Sequence, residues 1–228
     1  EVWSREQYVD LAQVILENNQ ISNNQLNTVL AAYLNYDSSE GTFNTPSVLL
    51  ADAVIFAFGG SHLELGEHML SSEYFPNNKL SMDNELKSSI LEYYDFMVAY
   101  ENLLRDGGEF MTPNVSSNSL KVNNWPPLYG SVSLVGKKVD NKQVYQLLNF
   151  NGVSTLSWRD NSKIQTAPTI FNDLEITINS TSSVSKVWFA SPDFRGGASQ
   201  ELEFKSTGNQ IKINVPYLEY WSMIVLEN

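Results

Sequence analysis

In the first hundred residues, stretches with apolar positions at helical spacing alternate with short apolar runs. Tyr8, Leu11, Ala12, Ile15 and Leu16 share one helical face, and Ser4 with Gln7 offers a capping box, so a helix is expected at about 4–18, ended by Asn18-Asn19. Asn27 to Leu34 is a short apolar run between Asn-rich segments and reads as a buried strand, followed by a polar loop over 35–44. Thr45-Pro46 opens an almost wholly apolar run to Phe58, stopped by Gly59-Gly60, which reads as a buried helix. A strand is expected at 61–66. After a turn-rich loop, Asp83 is a plausible cap for a long amphipathic helix that carries Leu86, Ile90, Tyr94, Met97 and Leu104 and runs to Arg105. With Glu1-Val2-Trp3 read as the end of a strand, the order is strand, helix, strand, helix, strand, helix, which implies parallel strands with helical crossovers.

Beyond Pro113 the helical period disappears. Short alternating runs take its place at Ser131–Val139, Gln143–Phe150, Leu174–Ile178, Lys186–Ala190, Glu201–Phe204, Gln210–Val215 and Tyr220–Leu226, separated by turn signals such as Asn151-Gly152 and Thr207-Gly208-Asn209. Strands at this spacing suggest an antiparallel sandwich. The Gly-, Pro- and Ser-rich segment 107–118 places the boundary, giving an α/β part at 1–110 and an all-β part at 111–228.

Composition narrows the function classes. The 228 residues carry a net charge of −12 with scattered acidic residues, which argues against nucleic acid or an anionic membrane as partner and is compatible with a neutral substrate. No apolar run reaches the length of a membrane helix, so no membrane insertion is expected. The chain has no cysteine, which excludes disulfides and thiolate metal sites. His62, Glu64 and His68 match no zinc or non-haem iron spacing, and no cofactor is expected. The first residue is Glu1, and the chain reads as starting partway through a fold.

Gly59 to His68 holds both histidines of the chain. Within it His62, Leu63, Glu64 and Leu65 alternate polar and apolar, so on a strand His62 and Glu64 share one face. If this is the last strand of a barrel, that polar pair points at the barrel mouth.

FNTPSVLLADAVIFAFGGSHLELGEHML, then EYFPN and the helix with YYDFMVAYENLLRDG, resembles the end of the catalytic barrel of glycoside hydrolase family 66, which contains endo-dextranases and cycloisomaltooligosaccharide glucanotransferases. The likeness is specific over Phe43–Gly107. It continues more loosely through VYQLLNFNG, Trp158-Arg159-Asp160 and KVWFASPD. It implies the last strands and helices of a (β/α)8 barrel followed by an antiparallel β-sandwich. It also implies a secreted, retaining enzyme with an Asp nucleophile on an earlier strand, outside this chain, and a Glu acid/base.

Glu1 stands where the resemblance would place that acid/base. Asn35, Tyr36, His62, Glu64 and Glu67 stand at strand ends, where barrel active sites lie, and are the candidate contacts to an α-1,6-glucan such as dextran or isomaltooligosaccharides. The alternatives are a buried His62–Glu64 pair that braces the loop, ordinary turn chemistry for Asn35 and Tyr36, and loop bracing for Glu67. Family transferases carry an inserted carbohydrate-binding module for which the loop between Asn35 and Phe43 leaves no room, so the chain looks more like a dextranase. A non-catalytic carbohydrate-binding protein is the reading from a different class. Tyr74-Phe75-Pro76 reads as loop packing, and Tyr93, Tyr94, Phe96 and Tyr100 as core and interface packing. The chain alone is expected to be inactive and to need a companion chain or segment carrying the first part of the barrel.

Overall fold

The computed structural model describes residues 5–38, 40–63, 71 and 79–228. Helix α1 spans Tyr8–Ile21. Its cap is Gln7, whose backbone N–H donates to the Asp10 carboxylate at 2.8 Å. The expected start at residue 4 is therefore moved inward. The reason is tertiary: Gln7 bridges to Ser157, and Glu6 O accepts from Trp158 N at 2.9 Å, so this backbone pairs with a distant loop instead of a helical turn.

Two short parallel pairs follow. Strand β1 (Val29–Leu30) pairs with β3 (Ser61–His62), and β2 (Gly41–Thr42) pairs with β4 (Leu80–Ser81). The first pair is the predicted parallel arrangement, with fewer ladder residues than the apolar run suggested. The second has no sequence signal and pairs Gly41 with Leu80 and Thr42 with Ser81. Residues 64–66 of the expected strand lie outside the described residues.

Helix α2 (Thr45–Ala57) connects the first pair, with Pro46 in its first turn and every other residue buried. Gly59, at φ +81°, reverses the chain after it. A side chain there would meet Leu104 O at 2.8 Å.

Helix α3 (Asn84–Ala99) has the predicted cap, with Asp83 Oδ1 accepting from Leu86 N at 2.8 Å. It does not run unbroken to Arg105. The helix breaks at Tyr100, whose hydroxyl donates to Gly197 O at 2.8 Å, and resumes as α4 (Glu101–Leu104).

The remaining chain is β-rich. Its strands are β5 (Glu109–Met111), β6 (Val115–Ser116), β7 (Val122–Asn124), β8 (Val132–Val139), β9 (Lys142–Asn149), β10 (Phe171–Asn179), β11 (Lys186–Ala190), β12 (Gln200–Glu201), β13 (Phe204–Thr207), β14 (Gln210–Leu218) and β15 (Trp221–Glu227). They form a four-stranded sheet in the order β13-β14-β10-β6 and a seven-stranded sheet in which β12-β11-β15-β9-β8-β5 run in order and β7 pairs with β8. All pairings are antiparallel except β7 with β8. The single strand expected at Glu201–Phe204 is divided. Glu201 pairs with Trp188 in the larger sheet and Phe204 with Ile213 in the smaller, so the chain changes sheets there.

One face of the larger sheet, with Leu134, Leu147 and Ile224, packs against Ile176 and Ile213 of the smaller. The opposite face, with Val144, Leu148, Trp221 and Met223, packs against Ile15, Phe56 and Phe96 of the helices. Strands β8 and β15 are thus buried on both faces, because the helices cover the side that a free sheet turns to water. Tyr93 and Phe96 are core residues of this join, as predicted. Trp221 stands 4.8 Å from Phe96 and 6.1 Å from Tyr93, ring centre to ring centre.

Candidate functional site

The C-terminal end of the β1–β3 pair is where an α/β unit binds its ligand. Leu30 stands opposite His62 in the register and Val29 opposite Ser61. Side-chain parity then puts Leu30 and His62 toward the helices, and Val29, Ser61 and Leu63 on the other face. Val29 and Leu63 are exposed, whereas the His62 side chain is fully enclosed. His62 Nδ1 lies 2.7 Å from Asp52 Oδ1, and His62 Nε2 lies 2.9 Å from Ala32 O. The Tyr94 hydroxyl donates to His62 O.

The expectation that His62 points at a barrel mouth and contacts sugar is therefore corrected. Alternation along the strand holds, but the histidine occupies the helix-facing register and braces β3 against α2. Asp52 was missed. Its signal was present in the sequence, as the one charged residue in the apolar run 45–58, ten positions before the histidine.

Asn35 is also enclosed. Its backbone, at φ +53°, is a left-handed turn, and its amide is committed inside the protein. Asn35 Nδ2 donates to Asp160 O at 2.8 Å, Oδ1 accepts from Asn44 N at 2.9 Å, and the backbone N donates to Arg159 O at 2.8 Å. Direct sugar contact by this amide is corrected to loop bracing, because its donor and acceptor are both engaged by backbone groups. Tyr36 is half-buried and Asp37 exposed, on the adjoining stretch of the same loop.

The partners that hold the loop come from the β-rich half. Asp160 Oδ2 accepts from Asn44 Nδ2 at 2.7 Å and from Gln165 N at 3.2 Å, and Oδ1 accepts from Ile164 N at 2.8 Å. Asn44 Nδ2 also donates to Gln165 O at 2.9 Å. The Arg159 guanidinium lies 4.7 Å from the Trp158 ring, and Trp158 Nε1 donates to Arg5 O at 2.9 Å. A cavity of about 350 Å³ opens beside β1, lined by Arg5, Asp10, Val29, Tyr33, Trp158 and Arg159 among others. Most of its lining is apolar, with Leu11, Val14, Leu30, Ala31 and Ala32 completing the wall around the few charged groups. Glu1, Glu64, Glu67, His68 and Tyr74-Phe75-Pro76 lie outside the described residues. Among the described residues no group of three or more metal-ligating side chains converges.

Asp193 and Lys137 are among the ionisable groups displaced at the join between the helices and the larger sheet. Desolvation pushes Asp193 up to about 7, against the hydrogen bonds it accepts from Trp221 N, the Tyr93 hydroxyl and Tyr220 N. Burial pushes Lys137 down to about 8, with its ammonium donating to Leu104 O at 2.9 Å.

The chain belongs to glycosyl hydrolase family 66, whose pattern it matches over residues 1–225. It is 36% identical over 220 residues to a cycloisomaltooligosaccharide glucanotransferase of Niallia circulans, covering 85% of this chain and 22% of that protein. It is 25% identical to a dextranase of Streptococcus salivarius, covering 79% of this chain and 26% of that one. The crystal structure of a Paenibacillus sp. cycloisomaltooligosaccharide glucanotransferase, complexed with cycloisomaltoheptaose, superposes with a TM-score of 0.74 at 29% identity, covering 81% of this chain and 27% of that one. The chain spans about a quarter of the length of these relatives.

Proposed function

We propose that this chain is the C-terminal portion of a secreted, retaining endo-dextranase that hydrolyses internal α-1,6-glucosidic linkages of dextran. The family match over residues 1–225 carries the reading. In this reading β1, α2, β3 and α3 belong to the last units of a (β/α)8 barrel within residues 1–110, and residues 111–228 form the β-sandwich. The parallel β1–β3 pair joined through α2 supports the barrel assignment, and the two sheets, antiparallel but for β7 with β8, on a shared core support the sandwich. A preceding segment or companion chain supplies the first strands and the nucleophilic Asp. The exposed Val29 beside the cavity is the face it would cover.

Glu1 is the proposed acid/base, set roughly 5–5.5 Å from the nucleophile as retention requires. Tyr36, Glu64 and Glu67 are the proposed substrate contacts, while His62 and Asn35 hold the strand ends that present them. An extracellular location follows from the polymeric substrate, which does not enter cells.

Digestion of dextran by the full-length parent, beside its Glu1→Gln variant, tests this. The expected result is linear isomaltooligosaccharides from the parent, and an inactive variant that added azide rescues on an activated substrate. An intact parent that leaves dextran undigested sinks the reading. The greater identity to the glucanotransferases favours a second reading, closure of α-1,6 oligosaccharides into rings, and cyclic products in the same digest establish it.

A further inference from the structure

We infer that Asp160 is a positioning residue for glucan binding. Through Asn44 and Asn35 it sets the shape of the loop that presents Tyr36, so the β-rich half takes part in building the substrate face. This rests on the proposed reading of that loop as substrate-facing.

The loop over 35–44 is held at both ends from one place. At its start, Asn35 is tied to Arg159 O and Asp160 O. At its end, the Asn44 amide is tied to the Asp160 carboxylate and Gln165 O. The two ends are closed on each other by Asn44 N donating to Asn35 Oδ1. Between them the Lys163 ammonium reaches Thr42 O at 3.3 Å and Glu40 O at 3.4 Å. Tyr36 follows the first anchor directly, so its backbone position is set by this network.

A carboxylate is required at residue 160. Oδ2 receives two N–H donors and Oδ1 receives one, so an amide in either orientation turns an NH2 group against a backbone N–H. The carboxylate is buried, at 3% exposure for the residue. A buried polar network of this kind fixes one geometry where apolar packing would tolerate several. The network lies in the loop that follows β1, which in the proposed reading is the ligand-binding end of the barrel.

The test compares the full-length parent with its Asp160→Asn and Asn44→Ala variants on dextran, measuring kcat, KM and thermal midpoint. Asn44→Ala removes the loop side of the bond and leaves the Asp160 bonds to Ile164 and Gln165 intact, so it reads the loop even if Asp160→Asn folds poorly. The expected result in both is a rise in KM of about tenfold with kcat changed less than about twofold, since a displaced loop weakens substrate positioning in every folded molecule. A fall in kcat at unchanged KM, in step with a lower thermal midpoint, describes a merely structural brace and overturns the inference. So does an active parent with unaltered KM in both variants. A parent inactive on dextran overturns the underlying reading and this inference with it.

Discussion

The Tyr93 hydroxyl donates to Asp193 Oδ1 at 2.8 Å, and the other oxygen of the same carboxylate accepts from the Tyr220 and Trp221 backbone at 2.9 Å each. One side chain thus fastens α3 to the start of β15. With its value raised to about 7, Asp193 favours the protonated form in the folded state. Its contribution to stability is fully present below about pH 4, the unfolded carboxylate value, and is lost as the pH rises through about 7. Asp193→Asn keeps the shape and removes the titration. The variant should gain stability relative to the parent sequence between about pH 5 and pH 8, on the order of 2 kcal/mol after allowing for the partial exposure of the residue. Thermal midpoints of the two proteins across that range check this, and parallel curves would falsify it.

The His62–Asp52 pair makes a second prediction. His62 Nε2 faces a carbonyl and Nδ1 faces a carboxylate, so the pair must share enough protons to fill both bonds. Asp52→Ala leaves a buried ring nitrogen without that partner and should cost about 3 kcal/mol. Replacing both residues with apolar side chains of similar volume should cost less than the sum of the single changes. Urea denaturation of the two single variants and the double variant reads this directly, and additive costs would refute the coupling.

Trp221 is enclosed where the sheet meets the helices, and its Nε1 donates to Gln146 Oε1 at 2.8 Å. Trp221→Phe keeps most of the apolar contact but strands the Gln146 oxygen, with an expected cost of about 2 kcal/mol. Trp221→Ala should cost about 4 kcal/mol, because Phe56, Tyr93 and Phe96 lose a shared neighbour. Equal midpoints for the Phe variant and the unaltered chain in chemical denaturation would show that the Gln146 bond contributes nothing.

Several local elements are legible in contiguous residues: the helical spacing from Tyr8 to Ile15, the apolar run closed by Gly59-Gly60, the Asp83 cap, and the strand–turn–strand pattern from Ser131 to Phe150. The family was legible too, in the motifs around Phe43–Gly107, and the match over 1–225 agrees with it.

Which way side chains face, and what remote groups they meet, depends on packing between distant segments. A period of two puts His62 and Leu63 on opposite faces but does not say which face is inside. The pairing of β3 with β1 and the carboxylate of Asp52 on α2 decide that. The start of α1 moved because residues 5–7 found partners near residue 157, and Asn35 turned from a candidate sugar contact into a brace because Asp160 lies beside it. Those partners are more than a hundred positions away in the chain. Local periodicity carries no trace of such contacts, because their energy exists only once the two halves have packed together.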